Sequence, residues 1–465
     1  MIYKNATIIT MNLERQILTH GSIVVEGKQI IAVGKTRELI SQYPFEEQFD
    51  CNGNILLPGL FNTHLHMAQG MLRGVSEGKQ LLPLSNWLTK RIWPLQGSYT
   101  EQDACASAAL CVLEMLKSGT VGFVECLLAG IYGFDGISEM ILQSGIRAAL
   151  GRVVMDISPD DRDRIGMHPG MWEPRQQCID GALDAHQKWE GAGDGRLQVW
   201  FGCRSIEAIN HPSVFDEVGQ LAREHNMGIT IHHSEMPGNI DYVRSLGYRT
   251  PTEFSLDKGL LGPHTVLAHF IESDQEDWKM VAESGASVSH NPANNSTAGW
   301  GPAPVVGMMN AGVNVSLGSD GAPSNANMDL LRDMRVASHI ARVKDHTRLA
   351  LPSESVLEMA TLNGVRAMGI GGQTGSIEPG KRADFIIINT DVPHLQPIWN
   401  PVAAIVFGAQ GSDVDTVVID GKVVMQNRQV LTLDEDAIVD DVRRRYLEVA
   451  ERAGIEKIAP NWPMI

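Results

Sequence analysis

Eight short apolar runs recur along this chain, at residues 55–61, 120–126, 146–153, 197–203, 228–232, 265–269, 286–289 and 313–317. Segments with helical periodicity lie between them, for example 103–117, 214–224 and 275–283. A strand followed by a helix, repeated eight times, is the pattern of a parallel (β/α)8 TIM-like barrel. A doubly wound open sheet gives the same alternation, so periodicity alone does not separate the two. The position of the polar residues does.

His64 and His66 follow the run at 55–60, and residues two apart on a strand face the same side. His232 ends Gly228-Ile229-Thr230-Ile231 on the inward face, His233 turns away, and Glu235 lies just past the strand. His269 ends Thr265-Val266-Leu267-Ala268, and Asp320 closes the stretch from Val313 to Ser319. In a barrel all of these fall at the carboxyl ends of strands, where barrel enzymes keep their chemistry. A lone His-x-His pair reads as readily as two surface histidines. Independent structural histidines have no reason to fall at strand ends four times. Neutral imidazoles with a carboxylate suit Zn²⁺ or Fe²⁺ and need no thiolate. A metal held with an open position lowers the pKa of its water to about 7, and a carboxylic acid such as Glu235 can then carry protons.

Short β-branched runs bounded by glycine stand at both chain ends: 6–11, 21–26 and 29–33 early, 383–388 and 416–424 late. Neither set makes a stable sheet alone, so one small β-sandwich domain assembled from both ends is expected. The division read from the sequence is 1–57 with 376–435 for the β-domain, 58–375 for the barrel, and 436–465 for a C-terminal helix and tail. That helix should place Ile438, Val442, Tyr446 and Val449 on one face.

Composition narrows the function further. The 38 Lys+Arg against 55 Asp+Glu leave a formal charge of −17, which repels nucleic acid and anionic lipid. Six cysteines without CxxC or zinc-ribbon spacing read as reduced thiols. The N-terminal residues do not form a signal sequence, and no apolar run nears the roughly 20 residues of a membrane span. A cytoplasmic enzyme of small molecules is expected.

Several motifs together resemble the amidohydrolase superfamily: Pro58-Gly59-Leu60-Phe61-Asn62-Thr63-His64-Leu65-His66, Thr230-Ile231-His232-His233-Ser234-Glu235, Ala268-His269, Ser289-His290-Asn291-Pro292, Leu317-Gly318-Ser319-Asp320-Gly321, and the tail from Thr374 to Asp384. The chain is most similar to the branch of S-adenosylhomocysteine/methylthioadenosine deaminases, guanine and pterin deaminases, and s-triazine hydrolases. That resemblance implies that His64, His66, His232 and Asp320 hold one divalent metal ion per subunit, zinc first and iron second. It implies that His269 faces the activated water or the developing oxyanion, and that Glu235 protonates a ring nitrogen. Asp320 or Glu235 would carry the second proton. Binuclear relatives place a lysine at the end of the fourth strand; residues 197–204 offer none, which favours one metal.

The implied activity is hydrolytic deamination of an amino-substituted nitrogen heteroaromatic (purine, pterin, pyrimidine or triazine type) with release of ammonia. Alternatives are displacement of chloride or alkylamine from an s-triazine, deamination of S-adenosylhomocysteine or methylthioadenosine, and a non-catalytic barrel scaffold, which the complete ligand set opposes. Relatives acting on nucleosides carry Glu after their Trp-Pro element, where this chain has Gln96 after Trp93-Pro94, and a neutral amide binds a diol less well than a carboxylate. Arg204 stands where nucleoside deaminases usually present His, and could grip an oxo group or serve as a rim ion pair. Trp87, Trp93 and Trp300 are candidates to stack on a flat ring, with packing as the commoner role of a tryptophan. His290 is expected to line the pocket. Barrel relatives are often oligomers, so a homo-oligomer is expected.

Overall fold

The computed structural model describes residues 1–77, 87–206, 210–455 and 462. Strands β1 (Ile2–Ile9), β2 (Ile17–Glu26), β3 (Gln29–Lys35), β4 (Gln48–Asp50) and β5 (Ile55–Pro58) open the chain. Then come β6 (Leu60–Leu65), β7 (Thr120–Leu128), β8 (Arg147–Val154), β9 (Leu197–Ser205), β10 (Ile229–His233), β11 (Thr265–His269), β12 (Ser287–His290) and β13 (Asn314–Leu317), with helices between them. Strands β14 (Phe385–Ile388), β15 (Val414–Ile419), β16 (Lys422–Gln426) and β17 (Gln429–Val430) lie towards the end.

Strands β6 to β13 pair in chain order, each parallel to the next. The Asp320 amide donates to the His64 carbonyl at 2.9 Å and so draws the chain after β13 back to β6. The result is a nearly closed eight-stranded α/β barrel. Its strands are covered on both faces, which is why they read as continuous apolar runs rather than as alternating ones.

The run at 55–61, read from the sequence as the first barrel strand, is corrected: it divides at Gly59. β5 pairs with β1 and β14 in the other sheet, whereas β6 pairs with β7. A Cβ on Gly59 would stand 2.3 Å from a Val121 methyl. Only glycine lets the chain cross there from one sheet to the other.

Both chain ends build one nine-stranded mixed sheet, in the order β17-β16-β15-β14-β5-β1-β2-β3, with β4 beside β1. In β14, Phe385 and Ile387 join a cluster with Tyr3, Ile8 and Ile23, while Ile386 and Ile388 face the main core. This period of two ties the small sheet to the barrel. Arg147, at the start of β8 and buried, reaches across to Asp384 through two hydrogen bonds of 2.8 and 2.9 Å and also contacts Asp420. A bidentate pair of this kind fixes orientation as well as distance.

The helix Glu435–Arg452 packs on the helix Glu101–Lys117. Arg445 pairs with buried Asp103 at 3.0 Å, and Arg452 contacts the same carboxylate. Val449 is buried and Ile438 and Val442 are partly so, but Tyr446 is 48% exposed. At 100° per residue, Val442 and Val449 lie within about 40° of Ile438 and Tyr446 about 80° away. Tyr446 therefore leaves the face assigned to it from the sequence. No helix among the described residues is long and apolar enough to cross a membrane.

Candidate metal centre

The barrel brings His64, His66, His232, His269 and Asp320 together above the carboxyl ends of its strands. Nε2 of His66 lies 3.2 Å from Nε2 of His232 and 3.3 Å from Oδ1 of Asp320. Nε2 of His64 is 3.6 Å from Asp320 Oδ1, and Nε2 of His269 is 3.6 Å from Oδ2. Ser234, His269 and Asp320 adopt left-handed backbone conformations, with φ of 48°, 75° and 63°. Such strain costs about 1–3 kcal/mol per residue and collects at functional sites. Here it bends the chain sharply at three strand ends.

The donor atoms fit a divalent cation. Two ligands each about 2.1 Å from a tetrahedral ion stand about 3.4 Å apart, and separations of 3.2, 3.3 and 3.6 Å bracket that value. His64 is fully buried, yet neither of its ring nitrogens has a hydrogen-bond partner among the described residues. Buried polar atoms without partners are rare and costly; a ligand to a metal needs none. His232 Nδ1 donates to the Arg204 carbonyl at 2.5 Å, which leaves the Nε2 lone pair free to ligate. Cys126 Sγ lies near this same Nδ1, at 3.9 Å, and stands within donor distance of both His64 and His232. Burial raises its thiol well above the ordinary value and keeps it neutral.

Charge follows burial. Burial lowers His66 to about 3 despite the opposing pull of Asp320, and lowers His64 and His232 as well. The imidazoles are thus neutral, as ligation requires. Burial resists ionisation of Asp320, but the facing His64, His269 and His66 outweigh it and hold the carboxyl well below the usual range. The Gly321 amide adds a hydrogen bond to Asp320 Oδ1 at 2.7 Å.

One residue of the site escaped the sequence reading. Glu125, buried near the middle of β7, accepts from the Met67 amide at 2.5 Å and from the Leu127 amide at 2.9 Å. Its Oε1 is 3.9 Å from His66 Nδ1, and burial lifts its carboxyl to about 8. A single carboxylate inside the apolar stretch 120–128 was the signal for it.

Glu235 sits half-buried beyond β10, its amide donating to Asn239 Oδ1 at 3.1 Å. Arg204, on β9, lies over the Trp93 ring at 4.8 Å, and its buried Nε has no partner among the described residues. Its positive charge adds to the lowering of His66. Gln96 is buried and donates through Nε2 to the Tyr132 hydroxyl at 3.0 Å. The Trp300 ring meets His269 edge to face at 5.5 Å. His290 ends β12 buried, with Nδ1 unpartnered among the described residues and a pKa that burial lowers to about 3. Nδ1 of His269 is flanked by Asn295 Oδ1 at 2.9 Å and Asn291 Nδ2 at 3.2 Å. Trp87 packs partly buried against the core, and no hydrogen bond or ring contact among the described residues joins it to this cluster.

The model of the amidohydrolase family matches residues 55–424. The chain belongs to the amidohydrolase family. This amidohydrolase is 32% identical over 453 residues to a 5-methylthioadenosine/S-adenosylhomocysteine deaminase of Desulforamulus reducens, covering 97% of this chain and 99% of that protein. Its fold matches an adenosine deaminase of Xanthomonas campestris with bound zinc, with a TM-score of 0.87 and 25% identity, over 97% of this chain and 98% of that one. The atrazine chlorohydrolase of Arthrobacter aurescens, complexed with zinc, shares the fold at a TM-score of 0.86 and 23% identity, over 96% and 99% of the two chains. The resemblance read from the motifs holds along nearly the whole length, and the protein is an amidohydrolase-type hydrolase of carbon–nitrogen bonds.

Proposed function

We propose that this amidohydrolase is a metal-dependent hydrolytic deaminase of an aminated nitrogen heteroaromatic, with adenosine-type aminopurines as its first substrate class. The observation that carries this reading is His64, buried among convergent histidine and aspartate donors with neither ring nitrogen hydrogen-bonded among the described residues. His64, His66, His232 and Asp320 would hold one ion, zinc by its match to three nitrogens and a carboxylate. When bound, the metal supplies a water acidic enough to act as nucleophile at neutral pH.

The chain's own groups then move protons. Glu235, at the mouth of the barrel, takes one proton from the water and delivers it to the ring nitrogen beside the attacked carbon. As the nitrogen takes that proton and the C=N π pair, the oxygen left by deprotonation would form the new C–O bond and the ring would lose its aromaticity at that carbon. His269 faces the oxygen of the tetrahedral adduct. Asp320 passes the remaining hydroxyl proton to the amino group, the C–N bond breaks, and ammonia leaves a ring carbonyl with its neighbouring N–H. Arg204, stacked on Trp93, and Trp300, against His269, would line the substrate pocket with His290, and Gln96 would be held behind them by Tyr132.

The deaminase names of the relatives favour a nucleoside. One observation favours a second reading, a free base that carries an oxo group: the Arg204 guanidinium sits on Trp93 with Nε unsatisfied among the described residues. Ammonia release from adenosine, methylthioadenosine and S-adenosylhomocysteine, set against guanine, isoxanthopterin and melamine, decides between them. Turnover of the nucleosides supports the first reading, and turnover of the oxo bases alone the second. No ammonia from any of them, with a full metal complement, would remove deamination.

The same reading places the enzyme in the cytoplasm as a homo-oligomer, with residues 1–57 and 376–435 as a composite domain beside the barrel at 58–375 and the segment 436–465 beyond it.

A further inference from the structure

The barrel closes where its last strand returns to its first, and this seam is unlike the others. Neighbouring strands from β6 to β13 share ladders of paired residues. Between β13 and β6, among the described residues, a single bridge joins Leu65 with Asp320. His64 and Asp320, two of the four ligands proposed above, stand on opposite sides of this seam, with His64 Nε2 3.6 Å from Asp320 Oδ1. A regular register does not set that spacing. Side chains do. Asn62, fully buried in β6, accepts through Oδ1 from the Ser319 amide at 3.1 Å and, in a longer bond, from the His64 amide at 3.4 Å. Its Nδ2 donates to the Ser319 hydroxyl at 2.7 Å. The register of β6 against β7 shifts between Asn62 and Leu65, and within that shift the His64 amide turns to this side chain.

We infer that Asn62 is a positioning residue of the metal centre: it sets the separation of His64 and Asp320 across the seam, and with it the geometry offered to the ion. The inference rests on the ligand set proposed above. One primary amide ties the backbone of one ligand to the residue directly before the other. From Ser319 the ties continue. Its hydroxyl lies 3.3 Å from the Asp320 carbonyl and 3.1 Å from Met328 Sδ, and its own carbonyl accepts from Asn325 Nδ2 at 2.8 Å. Asp320 follows with a φ of 63°, a strained conformation that persists where the surroundings over-determine it. Burying an amide is costly unless its groups are bonded, and here both ends of the Asn62 amide are bonded to the segments that carry ligands. The next residue provides the contrast. Thr63 is equally buried and also bonds across the seam, its Oγ1 2.8 Å from the Ser289 and Ser316 hydroxyls and 2.9 Å from the Leu317 carbonyl. None of those partners is a ligand or adjoins one in the chain.

The test compares three variants of the full chain with wild type. Asn62→Leu keeps the branched shape and removes all three bonds, Ser319→Ala removes the hydroxyl that Asn62 Nδ2 reaches, and Thr63→Val is the control at the same seam. Three quantities are measured: the Kd for zinc by chelator competition, the visible spectrum of the cobalt-loaded protein, which reports ligand geometry, and thermal unfolding without metal. Asn62→Leu should weaken zinc by about 10- to 100-fold, as loss of a ligand's supporting contacts does, and shift the cobalt bands. Ser319→Ala should do the same to a smaller degree. Thr63→Val should unfold at lower temperature with the wild-type Kd and spectrum. Zinc Kd values within twofold of wild type and an unmoved spectrum in Asn62→Leu and Ser319→Ala would overturn the inference. So would an equal shift in Thr63→Val, since stability of the seam would then be the cause. If Asn62→Leu does not fold, Ser319→Ala against Thr63→Val decides by the same criteria. A wild type that takes up no metal would instead remove the ligand set on which the inference rests.

Discussion

Glu125→Gln probes how the centre is held. Two backbone amides, of Met67 and Leu127, each depend on one oxygen of the Glu125 carboxyl, at 2.5 and 2.9 Å. Both oxygens can accept whether the group is ionised or protonated, whereas glutamine offers a single acceptor and turns an NH2 towards the other amide. A buried donor left without a partner costs about 1–3 kcal/mol. Met67 directly follows His66, so the loss is felt at a metal-facing histidine. Altered partners of this sort lower metal affinity by about 10- to 100-fold, which falls within the about 5- to 160-fold that this cost implies. Competition with a chelator of known affinity measures the change, and thermal unfolding of the metal-free protein reports the loss of stability separately. A Kd for zinc within twofold of wild type, with unchanged unfolding, would refute the reasoning, because the two hydrogen bonds would then carry no weight at His66.

Three further outcomes are expected. Glu235→Gln should keep its metal and lose about 10²- to 10⁴-fold in kcat, the usual range for a general acid–base group; full turnover would take Glu235 out of proton transfer. Arg204→Ala should raise KM on an oxo-bearing heterocycle with little change in kcat, and an unchanged kcat/KM would leave Arg204 a packing partner of Trp93. The metal-free enzyme should lose stability as pH falls from about 6.5. Burial lowers His66, His233 and His290 to about 3, so the unfolded chain takes up those three protons while the native state does not. Glu125, lifted to about 8, and Asp333, also raised by burial, retain protons in the native state and oppose this, but the lowered His64 and His232 add to the histidine side and keep it in excess. Stability of the chelated protein that is flat between pH 7 and 4.5 would contradict these burials.

Much of the site was legible because barrel chemistry sits where apolar runs end. His64, His232, His269 and Asp320 each close such a run, and the fold gathers them as that rule requires. The helices were also read closely: 103–117 is observed as Glu101–Lys117, and 275–283 as Gln275–Ser284. Other features depend on contacts distant in sequence. The crossing at Gly59 is set by Val121, 62 residues on, and the hydroxyl that accepts the hydrogen bond from Gln96 belongs to Tyr132, 36 residues on. Sequence alone therefore weighed Gln96 only as a substrate contact. Trp87 illustrates the same limit: a tryptophan near a motif is as suited to the core as to a ligand. Tyr446 was misplaced for a more local reason, since a spacing of four drifts round the helix.

The most direct test is to count metal and ammonia on the same samples of wild type and His64→Ala. The expected result is one equivalent of zinc per chain and steady ammonia release from an aminopurine for wild type, with both lost together in the variant. A variant that keeps stoichiometric metal and turnover would contradict the central claim, because His64, buried at the centre of the donor cluster, would then not be holding the ion.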